Sequence, residues 1–273
     1  MPGENDRAIR LDAALVRRGL ESSRERAKAR ILAGDVWVNG KPVAKPSALV
    51  DEEAEILCKG EGLAYVGRGG CKLEKAIAGR LDVSGAVAMD VGASTGGFTD
   101  CLLKSGAARV YAVDVGHGQL HPSLVADPRV VNLEGTDIRS GETLRGIIPA
   151  GSVNFCAVDV SFISLTRVLP AVLPFLKENA VLVCLIKPQF EAGRAAVGKR
   201  GVVKDPRVHC RVLDELCAFF MGLGFSVRWL DFSPITGGDG NIEFLAGLRY
   251  DREKPAVPGI ADVVACAHRA LKG

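Results

Sequence analysis

From Ala86 onward the sequence alternates short, nearly unbroken apolar runs with longer stretches of helical periodicity. The runs span residues 86–89, 110–113, 130–133, 155–158, 181–186, 226–230 and 244–248, with helical stretches at 98–105, 165–176 and 206–223. A strand covered on both faces is apolar at successive positions, whereas a half-exposed strand alternates. Such strands separated by helices predict an α/β fold: a Rossmann-like, mainly parallel sheet with helices on both faces. Ligands bind such sheets beyond the carboxyl ends of the strands. The polar residues that end the runs are therefore where chemistry is expected.

The N-terminal part reads differently, as a small α+β unit over residues 1–59. Leu11, Leu15 and Val16 have helical spacing, with Gly19 as the C-terminal stop. Ser22 and Glu25 form a capping-box pattern ahead of a second helix through Ala27 and Ile31, which ends at Gly34. Val36-Trp37-Val38 then reads as a strand, and Asn39-Gly40 as a hairpin turn. Residues 7–45 carry ten Lys and Arg against four Asp and Glu. Arg10, Arg17, Arg18, Arg24, Arg26, Lys28 and Arg30 make this a candidate surface for nucleic-acid phosphates, though such a run is also common on solvated helices. Residues 60–70 are glycine-rich and read as a linker, so the second domain is expected over 71–273, opening with a helix at 73–81.

A length of 273 residues suits this division. The N-terminal MPGENDRAIR has no apolar run behind it, and no apolar stretch approaches the roughly 20 residues of a membrane span. None of the eight cysteines forms a C-x-x-C pair, which fits buried thiols in a reducing cytoplasm. No cluster has metal-ligand spacing, so no metal is expected. His209 and His268 are expected on helix surfaces, and one of His117 and His121 near a cofactor rim. At 5% aromatic residues, a broad base-stacking platform is not expected.

After the first run, Asp90-Val91-Gly92-Ala93-Ser94-Thr95-Gly96-Gly97-Phe98 reads as strand, glycine turn and helix start. Glycines allow close backbone approach to a ligand, and the helix N-terminus faces it. The spacing is G-x-x-x-G-G, unlike the dinucleotide G-x-G-x-x-G. Asp114 ends the second run, where a carboxylate suits ribose hydroxyls. Asp90 suits the cationic end of S-adenosyl-L-methionine better than a pyrophosphate, and Asp137 stands where an adenine amine is held.

Four further polar residues stand out. Lys72 follows Gly69-Gly70, Asp159 and Lys187 end the fourth and fifth runs, and Glu243 begins the last. Singly, each also fits a structural salt bridge. Together with the glycine turn they resemble the lysine-aspartate-lysine-glutamate tetrad of the FtsJ-like ribose 2'-O-methyltransferases. The strings KLEKAI, DVSFISL, LIKPQFE and GNIEFL are similar to the hemolysin A (TlyA) branch of that family, and RLDAALVRRGLESSRERAKARILAGDVWVNGKPV resembles the S-four-like RNA-binding domain. The resemblance spans nearly the whole chain. It implies methylation of a ribose 2'-hydroxyl, on cytidine in known members, of 16S or 23S ribosomal RNA, with ribosomal RNA or subunits as partner and no obligate protein partner or membrane.

The residues suit that chemistry. A ribose hydroxyl is a poor nucleophile and must be aimed and relieved of its proton. Lys187 is expected to do this, held by Asp159, which also lies near the sulfonium; Lys72 and Glu243 complete the network. Base amine methylation favours an Asp/Asn-Pro-Pro-aromatic string, absent at Asp159-Val160-Ser161-Phe162, and carbon methylation needs a nucleophilic thiol, whereas Cys156 and Cys184 sit within strands. Residues 191–206, with Arg194, Lys199, Arg200 and Lys204, read equally as a plain loop or an RNA contact. Two other classes of function stay open: a membrane-lytic protein and a non-catalytic ribosome-assembly factor.

Overall fold

A computed structural model describes residues 8–21, 23–32, 34–58, 64–253, 255 and 259–271. The chain divides into two compact units, residues 1–68 and 69–273.

In the first unit, strand β1 (Ala8–Arg10) leads into helices α1 (Leu11–Arg17) and α2 (Arg24–Leu32). Strands β2 (Val36–Val38), β3 (Lys41–Pro42), β4 (Leu49–Asp51) and β5 (Ile56–Cys58) follow. The i, i+3, i+4 spacing of Leu11, Ala14 and Leu15 puts all three against Ala27, Ile31 and Val36 in a core of their own. Gly19, at φ +68, stops α1 as expected. Ser23 caps α2, its Oγ accepting the Arg26 N–H at 3.2 Å. Ser22, expected in that role, lies outside the described residues, as do residues 59–63 of the boundary. Asn39 and Gly40 take φ +48 and +75, the turn that joins β2 to β3.

The second unit opens earlier than its sequence suggests. Helix α3 (Gly69–Ile77) already includes both glycines and Lys72, which the sequence placed ahead of the helix. There follow β6 (Val87–Val91), α4 (Gly97–Lys104), β7 (Arg109–Val113), α5 (Pro122–Val125), β8 (Val130–Leu133), α6 (Gly141–Arg145) and β9 (Val153–Val158). Then come α7 (Leu165–Val172), β10 (Leu176–Ile186), α8 (Pro188–Glu191), α9 (Pro206–Gly222), β11 (Ser226–Phe232), β12 (Phe244–Arg249) and α10 (Ile260–Leu271).

The seven strands lie in the order β11-β12-β10-β9-β6-β7-β8. All seven expected runs are strands of this sheet, and the Rossmann-like class is the one observed. One difference concerns direction. β12 is antiparallel to both β10 and β11. A loop, with no crossover helix, joins β11 to β12, and a loop suffices for an antiparallel neighbour.

A second difference concerns His209. It is fully buried, with Nδ1 2.9 Å from His268 Nε2 and Nε2 3.2 Å from the Val203 carbonyl, and so is no surface residue. The core, including Met89, Phe155, Phe175, Phe220 and Phe244, seals the sheet between its helices. Among the described residues no helix is long and apolar enough to cross a membrane.

Candidate active site

Strand order reverses at β6, which has β7 on one side and β9 on the other. A crevice opens outside the carboxyl ends of neighbouring strands at such a point. Here the glycine turn after β6 and the Asp159 segment after β9 meet closely. Asp159 N–H donates to the Val91 carbonyl at 2.9 Å. A Cβ at Gly92 would stand 2.2 Å from the Asp159 carbonyl oxygen, and Gly92 has φ +88, so only glycine fits.

A cavity of about 670 Å³ runs from this junction past Gly92, Ser94, Asp114, Val115, Asp137 and Ile138 to Ser161 and Phe162. A smaller one of about 110 Å³ is lined by Gly69, Thr95, Gly97, Phe98 and Asp159. Asp114 Oδ2 accepts the Ser94 N–H and Oδ1 the Gly116 N–H, each at 2.7 Å. Each oxygen keeps a second lone pair for a ligand. Asp137 also lines the cavity, but its carboxylate is gripped by the Arg139 guanidinium, which holds it below the usual carboxylate range.

Two expected cofactor contacts lie elsewhere. Gly96 faces inward: a Cβ there would come within 2.2 Å of Leu124 Cδ1, so its role is to let α5 pack on the turn. Asp90 is fully buried and lines neither cavity. Its Oδ2 accepts the Thr99 hydroxyl at 2.7 Å, and Oδ1 has no hydrogen-bond partner. Burial pushes this carboxyl up to about 7; Asp159 and Asp114 add to the shift and the Thr99 hydroxyl opposes it. In this structure Asp90 thus faces Thr99 on α4 and neither cavity. Neither His117 nor His121 lines either of these cavities; His121 caps α5, its ring nitrogen accepting the Ser123 N–H.

The four expected reacting residues form two ion pairs. Lys187 Nζ lies 2.6 Å from Asp159 Oδ1, and Lys72 Nζ 2.5 Å from Glu243 Oε2. The sheet explains this convergence. β9 and β10 are parallel neighbours, so Asp159 and Lys187 leave the same edge. The ladder between β10 and β12 ends at Ile186 opposite Phe244, so the next residues along it are Lys187 and Glu243. Antiparallel β12 thus delivers the residue just before it, Glu243, to the edge where the parallel strands finish. Helix α3 carries Lys72 to the pair and is pinned by Lys75, which donates to Asp231 Oδ1 at 2.9 Å and to the Phe232 carbonyl at 2.6 Å.

Glu243 is wedged in place: a Cβ at Gly237 would stand 2.6 Å from its Oε1. Buried Asn241 ties this loop to the basic one, its Oδ1 accepting the Val203 N–H and its Nδ2 donating to the Gly201 carbonyl, both at 2.9 Å. Lys199 and Arg200 stand exposed within the turn that this clasp holds. Asn241 and Phe162 were missed in the sequence. Phe162 is 91% exposed at the cavity mouth, with φ +63 and its ring 5.1 Å from that of Phe190. An aromatic in left-handed backbone signals function only once its φ is known. Cys156 and Cys184 are fully buried, and burial pushes both thiols up, as expected for packing residues.

In the first unit the cations separate into two kinds. Arg30 is buried and donates to Glu21 at 2.8 Å, and Arg26 meets the same carboxylate at 3.2 Å. Arg18 donates to the Ala54 carbonyl at 2.5 Å and to those of Asp51 and Glu52. Arg30 and Arg18 therefore direct guanidinium N–H groups to partners within the unit. Arg10 and Arg24 both reach the buried Asp12, at 2.9 and 3.2 Å, with their own side chains about half exposed. Arg17, beside Glu52, and Lys28, beside Glu25, keep exposed side chains.

Residues 65–250 match the FtsJ-like methyltransferase family and residues 9–56 match the S4 domain. A Bacillus subtilis protein provisionally named rRNA methyltransferase YqxC is 45% identical over 96% of this chain and 95% of its own length. The 16S/23S rRNA (cytidine-2'-O)-methyltransferase TlyA of Mycobacterium tuberculosis is 43% identical over 97% of this chain and 98% of its own. A solved Streptococcus thermophilus structure with a provisional hemolysin label superposes with TM-score 0.77 at 44% identity, covering 97% of this chain and 98% of that one.

Proposed function

This chain belongs to the FtsJ-like methyltransferase family, and we propose that it methylates the 2'-hydroxyl of a cytidine ribose in ribosomal RNA. The observation that carries this is that the pairs Lys187–Asp159 and Lys72–Glu243 form at one edge of the sheet, where Asp159 lines the cavities. S-adenosyl-L-methionine supplies, when bound, an electrophilic methyl group on a cationic sulfur. The crevice suits that group: its wall carries three carboxylates, at Asp114, Asp137 and Asp159, and the glycine turn admits backbone at close range. Asp114 would take the ribose hydroxyls, Val115 and Ile138 would flank the base, and Asp159 would face the cationic end.

Lys187 receives the proton of the substrate hydroxyl as that oxygen becomes methylated. Asp159 holds Lys187 by charge in the resting ion pair, whose ammonium gives one proton to solvent before the amine accepts another, and the Lys72–Glu243 pair would orient the ribose. Phe162 offers a stacking face for the base attached to that ribose. The first unit, with Arg10, Arg17, Arg24 and Lys28 outermost and Arg26 beside them, would hold RNA phosphates, as would Lys199 and Arg200. The reading places the protein in the cytoplasm with its RNA.

The test is incubation with methyl-labelled S-adenosyl-L-methionine and ribosomal subunits or naked ribosomal RNA, followed by mapping of 2'-O-methyl sites. Label at a cytidine 2'-oxygen is expected. Label on a base, or RNA binding without transfer, would overturn the reading.

A further inference from the structure

A lysine side chain is a flexible stem ending in a freely rotating group of three donors. For Lys187 to accept a proton from one direction, something must fix its rotation. The ion pair with Asp159 does not. Nζ lies 2.6 Å from Asp159 Oδ1, yet that oxygen has no aligned hydrogen bond, so the attraction is one of charge. The aligned bond of Lys187 goes to the Ser161 hydroxyl, with Nζ donating to Oγ at 2.8 Å. Hydrogen bonds weaken steeply off axis, whereas charge attraction has little angular preference.

We propose that Ser161 is the positioning residue that aims the Lys187 amine at the substrate hydroxyl, a role that rests on Lys187 being the proton acceptor. With one N–H held by Ser161, the rotation about Cε–Nζ is set. A second N–H faces the Asp159 carboxylate, because a lone pair pointing there would be repelled. The third staggered position carries the proton that the resting ammonium gives up to solvent, and the lone pair left there takes the proton leaving the ribose oxygen.

The segment presenting Ser161 is suited to the task. It starts at Asp159, whose N–H is bonded to the Val91 carbonyl and whose own carbonyl packs on Gly92. It ends in the left-handed turn at Phe162, a conformation that a bulky residue keeps only where its surroundings impose it. Ser161 itself is exposed and lines the larger cavity, so replacing it removes no core packing.

The experiment compares kcat and KM for methyl transfer in the full-length parent, Ser161→Ala, Ser161→Thr and Lys187→Ala, with ribosomal RNA or subunits as acceptor. Misaimed reacting groups cost rate and not binding, so Ser161→Ala is expected to lower kcat by about tenfold or more with KM for cofactor and RNA within about twofold. Ser161→Thr, which keeps the hydroxyl, is expected to retain most of the parent kcat. Parent kcat in Ser161→Ala, or a loss that threonine does not restore, would overturn the proposal. Parent kcat in Lys187→Ala would instead remove the role of Lys187, and that of Ser161 with it.

Discussion

At one end of the crevice, Asp114 is held by the backbone N–H groups of Ser94 and Gly116. At the other lies Asp159, which meets Lys187, and on the same sheet edge Glu243 meets Lys72, side chain to side chain and across segments remote in sequence. The first end is made by backbone at a turn and, on the proposed reading, would fix the cofactor's place. The second is made by charges that the whole sheet brings together. It is therefore the end where a single side-chain change is expected to cost rate. The backbone end should be tolerant of side-chain changes and intolerant of any atom added to its glycines.

The sharpest way to break this contrast is Lys187→Ala. General-base catalysis is worth about 10²–10⁴-fold, and methyl transfer should fall by that order while cofactor affinity, read by calorimetry, changes by less than about threefold. A parallel loss of cofactor affinity would mean that the two ends are not separable. Next in size is Gly92→Ala. Its Cβ would collide with the Asp159 carbonyl, so cofactor affinity and transfer should fall together, with a stability loss of about 1–3 kcal/mol by denaturant unfolding. Unchanged affinity in that variant would take the glycine turn out of the site.

The last effect, on stability and not on transfer, concerns Asp90, which feels Asp159 and Asp114 at once. Its carboxyl is raised from 3.8 to about 7 in the folded chain, so the native state holds an extra proton between those values. Stability falls as pH rises through that window and levels off above it. Asp90→Asn removes the titration. Its stability relative to the parent should rise by about 1.4 kcal/mol per pH unit between pH 4.5 and 6.5 and then flatten, as followed by urea unfolding. A flat difference across that range would mean that Asp90 is ionised in the fold.

The same contrast explains what could be read beforehand. Asp114, Gly92 and Ser94 lie in contiguous strand–turn–helix strings, so their local pattern sufficed. Asp159 and Lys187 were legible because continuous apolar runs announce a parallel sheet and its carboxyl edge. Strand direction leaves no mark in such runs, so the reversal of β12 was not legible, although it brings Glu243 to that edge. Nor does a sequence show which cations turn inward. Arg30 and Arg18 look like Arg17 until Glu21 and the Ala54 carbonyl are in place beside them. Asp90 looked like a ligand because its burial depends on the helix packed over it, where Thr99 supplies the one hydroxyl it meets.

The ladder that ends at Ile186 and Phe244 has a consequence for how such a protein can diversify. Residues 188–242 depart from the reacting edge and return to it at a neighbouring point, so they form a detour whose two ends are fastened. Doubling the length of a loop on such a detour costs only about 0.6 kcal/mol in chain entropy. Insertions at either end of α9 can therefore accumulate, and new outer surface can be tried against new RNA shapes, while the distance from Lys187 to Glu243 stays fixed by two paired strands. The site is inherited as one piece and its surroundings as another.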